Sequence, residues 1–321
     1  MKKLSAVILA AFVILCFFGC RQKNGEAVSG EIISSVESEI SDVEEPENAA
    51  SEVSEVSGIS EAQGQPSPIE QAEDGDLSLP QNGHETAALP DIRTPAEKYT
   101  DTLSLEQQLG QMFFARCPSG NGAEQAARYF VGGFILFGRD FDGQTPDSLK
   151  ESISSYQAAA QTPMLIGVDE EGGSVVRVSA YKAFRSERFR SPQYLYNKGG
   201  IDAIINDADE KDALLKSLGI NVNLAPVCDV SENAADFIYS RTLGKGATET
   251  AEYIFRLVEK MNSDGLGSVL KHFPGYGSNS DTHTGIAIDE RPAEVFFEKD
   301  FLPFSAGISA GAGSVLVSHN I

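Results

Sequence analysis

The 321-residue chain contains no tryptophan, few basic residues and only four cysteines. Phenylalanine and tyrosine therefore supply all of its aromatic side chains. Lysine and arginine number 25 against 47 aspartates and glutamates, and they form no basic stripe of the kind that binds a phosphate backbone. We therefore expect no nucleic-acid partner.

The chain also lacks a long hydrophobic run. Residues 4–18 are almost entirely apolar and follow Lys2 and Lys3, but a membrane span needs about 20 such residues. The run is typical of a signal peptide, here residues 1–20. Gly19 followed by Cys20 resembles the bacterial lipoprotein cleavage site, in which the cysteine becomes the lipidated N-terminus. We expect a protein lipid-anchored at the extracellular face of the cytoplasmic membrane; the alternative is an ordinary signal peptide and a secreted protein.

The other cysteines say little about redox chemistry. Cys16 would leave with the signal peptide and Cys20 would carry the lipid, so only Cys117 and Cys228 remain. Two buried thiols are preferred over a disulfide, because the distance between them cannot be obtained from the sequence.

Residues 21–97 are predicted to be a disordered acidic linker. Residues 21–95 hold 17 acidic and three basic residues, which accounts for most of the net charge of −22. Repeats such as SEVSEVS (51–57) contain nothing that could bury enough apolar surface to offset the entropy of ordering. The folded part is therefore predicted to be residues 98–321.

Beyond residue 103, short apolar runs alternate with amphipathic segments, which predicts a parallel sheet covered by helices. A helix is predicted after Ser104, which forms a capping box with Gln107. A doubly wound sheet and a barrel both fit this alternation. Polar residues follow most of the apolar runs directly, as the mouth of a barrel requires. No glycine-rich turn follows the first run to bind a phosphate, which also favours the barrel. We therefore predict a (β/α)8 TIM barrel of which about the first five βα units are present. The expected strands are residues 133–137, 164–168, 222–227, 268–270 and 314–317, and further helices are expected to start near residues 146, 203, 248 and 292.

Five sequence blocks resemble the family 3 glycoside hydrolases, and they occur in the order found in that family. One block matches the family segment D-x-E-G-G-x-V-x-R, and another has the Asp-x-His loop of the β-N-acetylglucosaminidase branch. The blocks lie between residues 166 and 283, and the resemblance as a whole extends from about residue 103 to the end of the chain. The blocks are IGVDEEGG (166–173) continuing to Arg177, NLAPVCDV (223–230), SRTLG (240–244), KHFPGYG (271–277) and SDTH (280–283).

The resemblance implies a sugar-binding role for five polar residues of these blocks. The planar guanidinium group of arginine suits hydroxyl, acetamide or carboxylate groups. An ionised carboxylate at the end of a buried strand needs a partner. The alternatives are a turn cap for the aspartate, surface ion pairs for the arginines and a core position for the histidine. The five residues are Asp169, Arg177, Arg241, Lys271 and His272.

The resemblance implies that His283 is the acid/base catalyst, with Asp281 as the group that orients it. A histidine with its ordinary pKa near 6.5 can protonate a leaving oxygen at neutral pH. The alternative is a solvated loop histidine. The two residues lie in a stretch rich in Gly, Ser, Asn and Thr, and such loops often carry catalytic groups.

Two features depart from the family pattern. Tyr276 occupies a position that is commonly histidine, which predicts retained activity with an altered substrate preference. The family nucleophile is an aspartate after a later strand, and the chain stops at Ile321. We therefore expect the nucleophile beyond residue 321, and we expect residues 1–321 alone to be inactive.

The predicted function is that of a retaining exo-β-N-acetylglucosaminidase. Its substrates would be saccharides or muropeptides with terminal N-acetylglucosamine, from peptidoglycan or chitooligosaccharides. No cofactor and no metal are expected. The alternatives are a β-glucosidase or β-xylosidase of the same family, or a lipoprotein that binds sugars without cleaving them.

Overall fold

Strands and helices alternate along the folded part of the chain. The computed structural model describes residues 92–281 and 287–319. Its strands are β1 (Phe114–Arg116), β2 (Gly133–Leu136), β3 (Leu165–Val168), β4 (Val222–Asn223), β5 (Gly267–Phe273) and β6 (Ser314–Val317). Its helices are α1 (Pro95–Thr100), α2 (Leu105–Gln111), α3 (Gly122–Tyr129), α4 (Pro146–Ala159), α5 (Pro192–Ser217), α6 (Ala247–Asp264), α7 (Ala293–Val295) and α8 (Phe301–Ser309), with a π-helical turn, Phe296–Asp300, between the last two.

The six strands form one parallel sheet whose spatial order is their order in the chain. In the register of β2 with β3, Gly133 lies opposite Leu165 and Leu136 opposite Val168. A doubly wound sheet reverses its strand order at a switch point, whereas a (β/α)8 barrel adds each new strand on the same side. The predicted class, part of a TIM-type barrel, is confirmed.

The two faces of the sheet are both apolar. Phe134 and Leu136 of β2 pack in the core between sheet and helices, whereas Ile135 packs with Val222 and Val269 in a second cluster on the opposite face. Successive side chains of a strand point to opposite faces. The runs are therefore continuously hydrophobic, as they are in parallel sheets covered on both sides.

The strand count differs from the prediction by one. The strand β1 was not predicted, since three residues are too few for a recognisable hydrophobic period. The strand β4 is shorter than expected and β5 extends to Phe273. Cys117 and Cys228 are both buried free thiols, which confirms the preference for two thiols over a disulfide.

The predicted helix starts are borne out to different degrees. Ser104 forms the expected capping box with Gln107, and Thr145 caps α4 as Pro146 suggested. The element α5 begins at Pro192, where the hydroxyl of Ser191 accepts from the N–H of Tyr194. The backbone at Gly199 and Gly200 is not helical, so the second part of α5 begins close to the start expected near residue 203. Within the described residues, no helix combines the length and apolar character that crossing a membrane requires.

The apolar face predicted for α6 is rotated. In the sequence, Ala251, Phe255, Val258 and Asn262 share one helical face, which is mostly apolar and was expected to be buried. In the structure, Phe255 is exposed and the Asn262 side chain donates to the backbone carbonyls of residues 310 and 311. The helix packs on α5, β5 and α8 at once, so its buried side is wider than one stripe. The buried residues are Thr250, Tyr253, Ile254, Val258 and Met261.

Candidate active site

The carboxyl ends of β3, β4 and β5 bring together charged side chains that lie far apart in the sequence. Asp169 follows β3 directly, Asp229 lies six residues after β4, and Lys271 is in β5. Arg241 is the last residue of a 3-10 turn between β4 and α6. Parallel strands end at one rim, and that rim carries the active site in barrels of this type.

Lys271 is the centre of the cluster. Its Nζ lies 2.8 Å from Oδ1 of Asp169 and 2.6 Å from Oε1 of Glu171. The side chains of Lys271 and Glu171 are each only 3% exposed, so both charges are largely removed from solvent. A buried cation is tolerated where carboxylates pair with it, and two carboxylates pair with this one.

Glu171 also accepts a bidentate pair of hydrogen bonds from Arg241. Nε of Arg241 donates to Oε2 over 3.0 Å and Nη2 donates to Oε1 over 2.7 Å. Burial by itself raises the pKa of a carboxyl group, but Lys271 and Arg241 together outweigh it and lower the pKa of Glu171 to about 2. Glu171 is therefore ionised at neutral pH.

His272 is held between a carboxylate and a guanidinium. Its Nδ1 lies 2.8 Å from Oδ2 of Asp229, and its Nε2 lies 3.0 Å from Nη2 of Arg241. Because a guanidinium has no acceptor, Nε2 accepts and Nδ1–H donates to Asp229. The other oxygen of Asp229 accepts from the backbone N–H of Tyr276 over 2.7 Å. Burial opposes ionisation of Asp229, but His272 and these N–H donors outweigh it and lower its pKa.

Arg177 approaches the cluster from the loop after β3. Its Nη2 lies 3.8 Å from Oδ2 of Asp169. A buried carboxylate holds the backbone of this loop: Oε2 of Glu170 accepts from the N–H groups of Arg177 over 2.8 Å and Val178 over 2.7 Å. Oε1 accepts from the hydroxyl of Ser179. The segment that carries Arg177 is thus fixed against the end of β3.

The sequence of this site matches a known family. Residues 104–321 match the glycosyl hydrolase family 3 N-terminal domain. The chain belongs to this family. Within the family 3 chain, the match begins at the cap of α2 and includes every strand described above.

Curated proteins similar to this chain carry the name beta-hexosaminidase. A beta-hexosaminidase of Xanthomonas campestris pv. campestris (strain B100) is 34% identical over 193 residues, which is 59% of this chain and 57% of that protein. One from Xylella fastidiosa (strain M12) is 32% identical over 193 residues, covering 59% of this chain and 56% of that protein. The chain thus spans a little over half the length of these curated relatives.

Solved structures give the same fold. A family 3 beta-N-acetylglucosaminidase from Paenibacillus sp. str. FPU-7 superposes with a TM-score of 0.62 at 25% identity, over 68% of this chain and 42% of that one. NagZ from Neisseria gonorrhoeae, in complex with N-trifluoroacetyl-D-glucosamine, gives 0.55 at 25% identity, over 65% of this chain and 61% of that one.

The structure of this chain brings together the five residues predicted to bind sugar: Asp169, Arg177, Arg241, Lys271 and His272. Asp281 belongs to the described residues and is the last one before residues 282–286, which are not described. His283 and Cys20 lie outside the described residues. The roles of all eight residues stay predictions.

Glu171 and Asp229 had not been assigned a role. Both were visible in the sequence as acidic residues following strands, but the partners of Glu171 are 70 and 100 residues away and those of Asp229 are 43 and 47 residues away. Tyr276, the departure from the family motif, is buried and packs edge-on against His272, with ring centroids 5.2 Å apart. Its aromatic ring therefore supports the histidine ring.

The cluster of the family 3 site is balanced in charge and leaves specific groups unused. Asp169 and Glu171 pair with three cations, Arg177, Arg241 and Lys271, and a third carboxylate, Asp229, pairs with His272 beside Arg241. Among the described residues, Nη1 of Arg241 has no protein partner, and Lys271 has used two of its three N–H groups. Such a site suits a neutral, hydroxyl-rich ligand. The described part of the chain contains no group of three or more His, Cys, Asp or Glu side chains arranged to hold a metal ion.

Proposed function

We propose that the full-length protein is a retaining exo-β-N-acetylglucosaminidase acting on peptidoglycan fragments or chitooligosaccharides. The observation that carries the proposal is the balanced ionic cluster at the strand ends. It leaves Nη1 of Arg241 and one N–H of Lys271 as donors. It also leaves one oxygen of Asp169 as an acceptor, with only the 3.8 Å contact to Arg177. Terminal N-acetylglucosamine offers hydroxyl and acetamide groups that match these donors and this acceptor.

The names of the relatives support the substrate class. The curated relatives are beta-hexosaminidases, and one structural neighbour holds an N-acylated glucosamine derivative. In the proposed reaction, the sugar is held by Asp169, Arg177, Arg241, Lys271 and His272.

His283, oriented by Asp281, would protonate the leaving oxygen and then activate water. In a retaining mechanism a nucleophile forms a glycosyl-enzyme that water then hydrolyses, with the same acid/base group serving both steps. A nucleophilic aspartate after residue 321 stays an expectation.

The proposal predicts the anomer and the sugar preference of the full-length protein. Hydrolysis of 4-nitrophenyl N-acetyl-β-D-glucosaminide, followed by ¹H NMR, should release the β-anomer first, because two displacements restore the original configuration. The corresponding β-glucoside should be cleaved more slowly, since it lacks the acetamide. An α-anomer as first product would contradict the retaining mechanism.

The rival functions give other outcomes of the same assay. Faster cleavage of the glucoside or xyloside would identify a β-glucosidase or β-xylosidase. Saturable binding of N-acetylglucosamine without cleavage of any substrate would identify a sugar-binding lipoprotein.

We also propose that Cys20 anchors the protein by lipid to the extracellular face of the membrane. The acidic segment that follows Cys20 would then link the anchor to the barrel, but the last residues of the expected linker, 95–97, belong to α1. Each buried CH₂ of an acyl chain contributes about 0.8 kcal/mol to membrane affinity. Cys20→Ala should therefore move the protein from the membrane fraction to the medium without loss of activity. Cys16→Ala is the matched control and should leave the protein on the membrane. Membrane association that survives Cys20→Ala would contradict the anchor.

A further inference from the structure

Glu171 differs from the other acidic residues of the site in where its bonds go. Oε1 accepts from Nζ of Lys271 over 2.6 Å and from Nη2 of Arg241 over 2.7 Å. Oε2 accepts from Nε of Arg241 over 3.0 Å. The carboxylate is enclosed, and every contact seen among the described residues goes to a side chain that is expected to touch substrate.

Together with Asp169 and His272, Glu171 determines which N–H groups of the two cations remain free. Lys271 gives one N–H to Glu171 and one to Asp169, so only the third points elsewhere. Arg241 gives Nε–H and one Nη2–H to Glu171, and its other Nη2–H points to His272. Both N–H groups of Nη1 are left over. The planar fork of arginine fixes their direction once its other side is engaged.

We propose that Glu171 is a positioning residue: it locks Lys271 and Arg241 into one unit and so sets which of their N–H groups face the sugar. This inference rests on the proposed function for its substrate. Glu171 itself needs no contact with the ligand, because both of its oxygens are occupied by the two cations.

The charge of Glu171 matters as much as its shape. The charged groups facing Lys271 are Asp169 and Glu171 from the end of β3 and Arg241 from the turn after β4. Burial and Arg241 favour the neutral amine, whereas Asp169 and Glu171 outweigh them and raise the pKa of Lys271. Glu171→Gln removes one of the two carboxylates and leaves Arg241 in place. Lys271 should then lose its proton at lower pH than in the wild type.

The test compares Glu171→Gln and Glu171→Asp with the wild type in the full-length protein. Glu210→Gln is the matched control, because Glu210 also pairs bidentately with an arginine, Arg185, but is exposed. Two quantities are measured: kcat and KM for the chromogenic N-acetylglucosaminide across pH, and the titration of Lys271 by NMR on protein labelled with ¹³C at lysine Cε.

Glu171→Gln should lower kcat/KM about tenfold or more, mainly through KM, because uniform binding is lost. The Lys271 titration should move down by about one pH unit or more. Glu171→Asp should keep the Lys271 titration near that of the wild type, because it keeps the charge. It should still raise KM, because the shorter side chain cannot reach both cations. Glu210→Gln should match the wild type in all of these respects.

An unchanged Lys271 titration in a folded Glu171→Gln protein would overturn the inference. If that variant does not fold, Glu171→Asp decides: a KM equal to that of the wild type would overturn it. A wild type that cleaves no N-acetylglucosaminide would refute the proposed function instead, and the NMR titration would still decide whether Glu171 sets the state of Lys271.

Discussion

Lys271→Met is expected to lower kcat/KM of the full-length protein for N-acetylglucosaminides by about 10²-fold or more, the cost of misplacing a bound substrate. Methionine has a similar length but offers no N–H to the sugar. It also leaves Asp169 and Glu171 without the Nζ that now lies 2.8 and 2.6 Å from them. Breaking a buried ion pair from one side costs about 3–5 kcal/mol. The variant should therefore also unfold at lower temperature in a thermal melt.

The two effects of Lys271→Met can be separated by a second substitution. In Lys271→Met/Asp169→Asn, one of the stranded carboxylates becomes neutral, so the melting temperature should recover in part while activity stays low. Lys150→Met is the matched control, because Lys150 is exposed and lies 3.7 Å from Asp147 at the surface. Activity of Lys271→Met within a few-fold of the wild type would show that Lys271 is a structural residue.

The fold was largely predictable because a parallel sheet covered by helices requires short apolar runs that alternate with amphipathic segments. Five apolar runs, most of them followed by polar residues, gave five of the six strands. The strand β1 was not predicted because Phe114–Arg116 spans three residues and includes a charge. The buried face of α6 was predicted incorrectly because the helix contacts three elements at once, which a single stripe of apolar residues does not describe.

The site was predictable in its members more than in its contacts. Asp169 and Lys271 could each be picked out as a polar residue at the end of an apolar run, yet they lie 102 residues apart in the chain. Asp169 was expected to bind sugar, and the structure adds that one of its oxygens accepts from Lys271. Glu171 stands two residues after Asp169, but its importance depends on Arg241, whose approach only the folded chain reveals.

His283→Ala tests the proposed acid/base pair through the leaving group. General acid catalysis typically contributes about 10²–10⁴-fold, and the need for it falls as the leaving group becomes more acidic. In the full-length protein, His283→Ala should therefore abolish most hydrolysis of a natural N-acetylglucosaminide linkage. Its glycosylation step with an activated nitrophenyl substrate, measured in the pre-steady state, should slow much less.

Asp281→Ala should show a weaker form of the same selectivity, because an orienting carboxylate acts only through the histidine. His84→Ala is the matched control, since His84 lies in the acidic linker at a position with no assigned role. The ratio of the two rates distinguishes chemistry from binding: a residue that only holds the sugar slows both substrates alike. If His283→Ala slows the natural and the activated substrate by the same factor, His283 is a binding or structural residue, and the acid must be sought elsewhere in the protein.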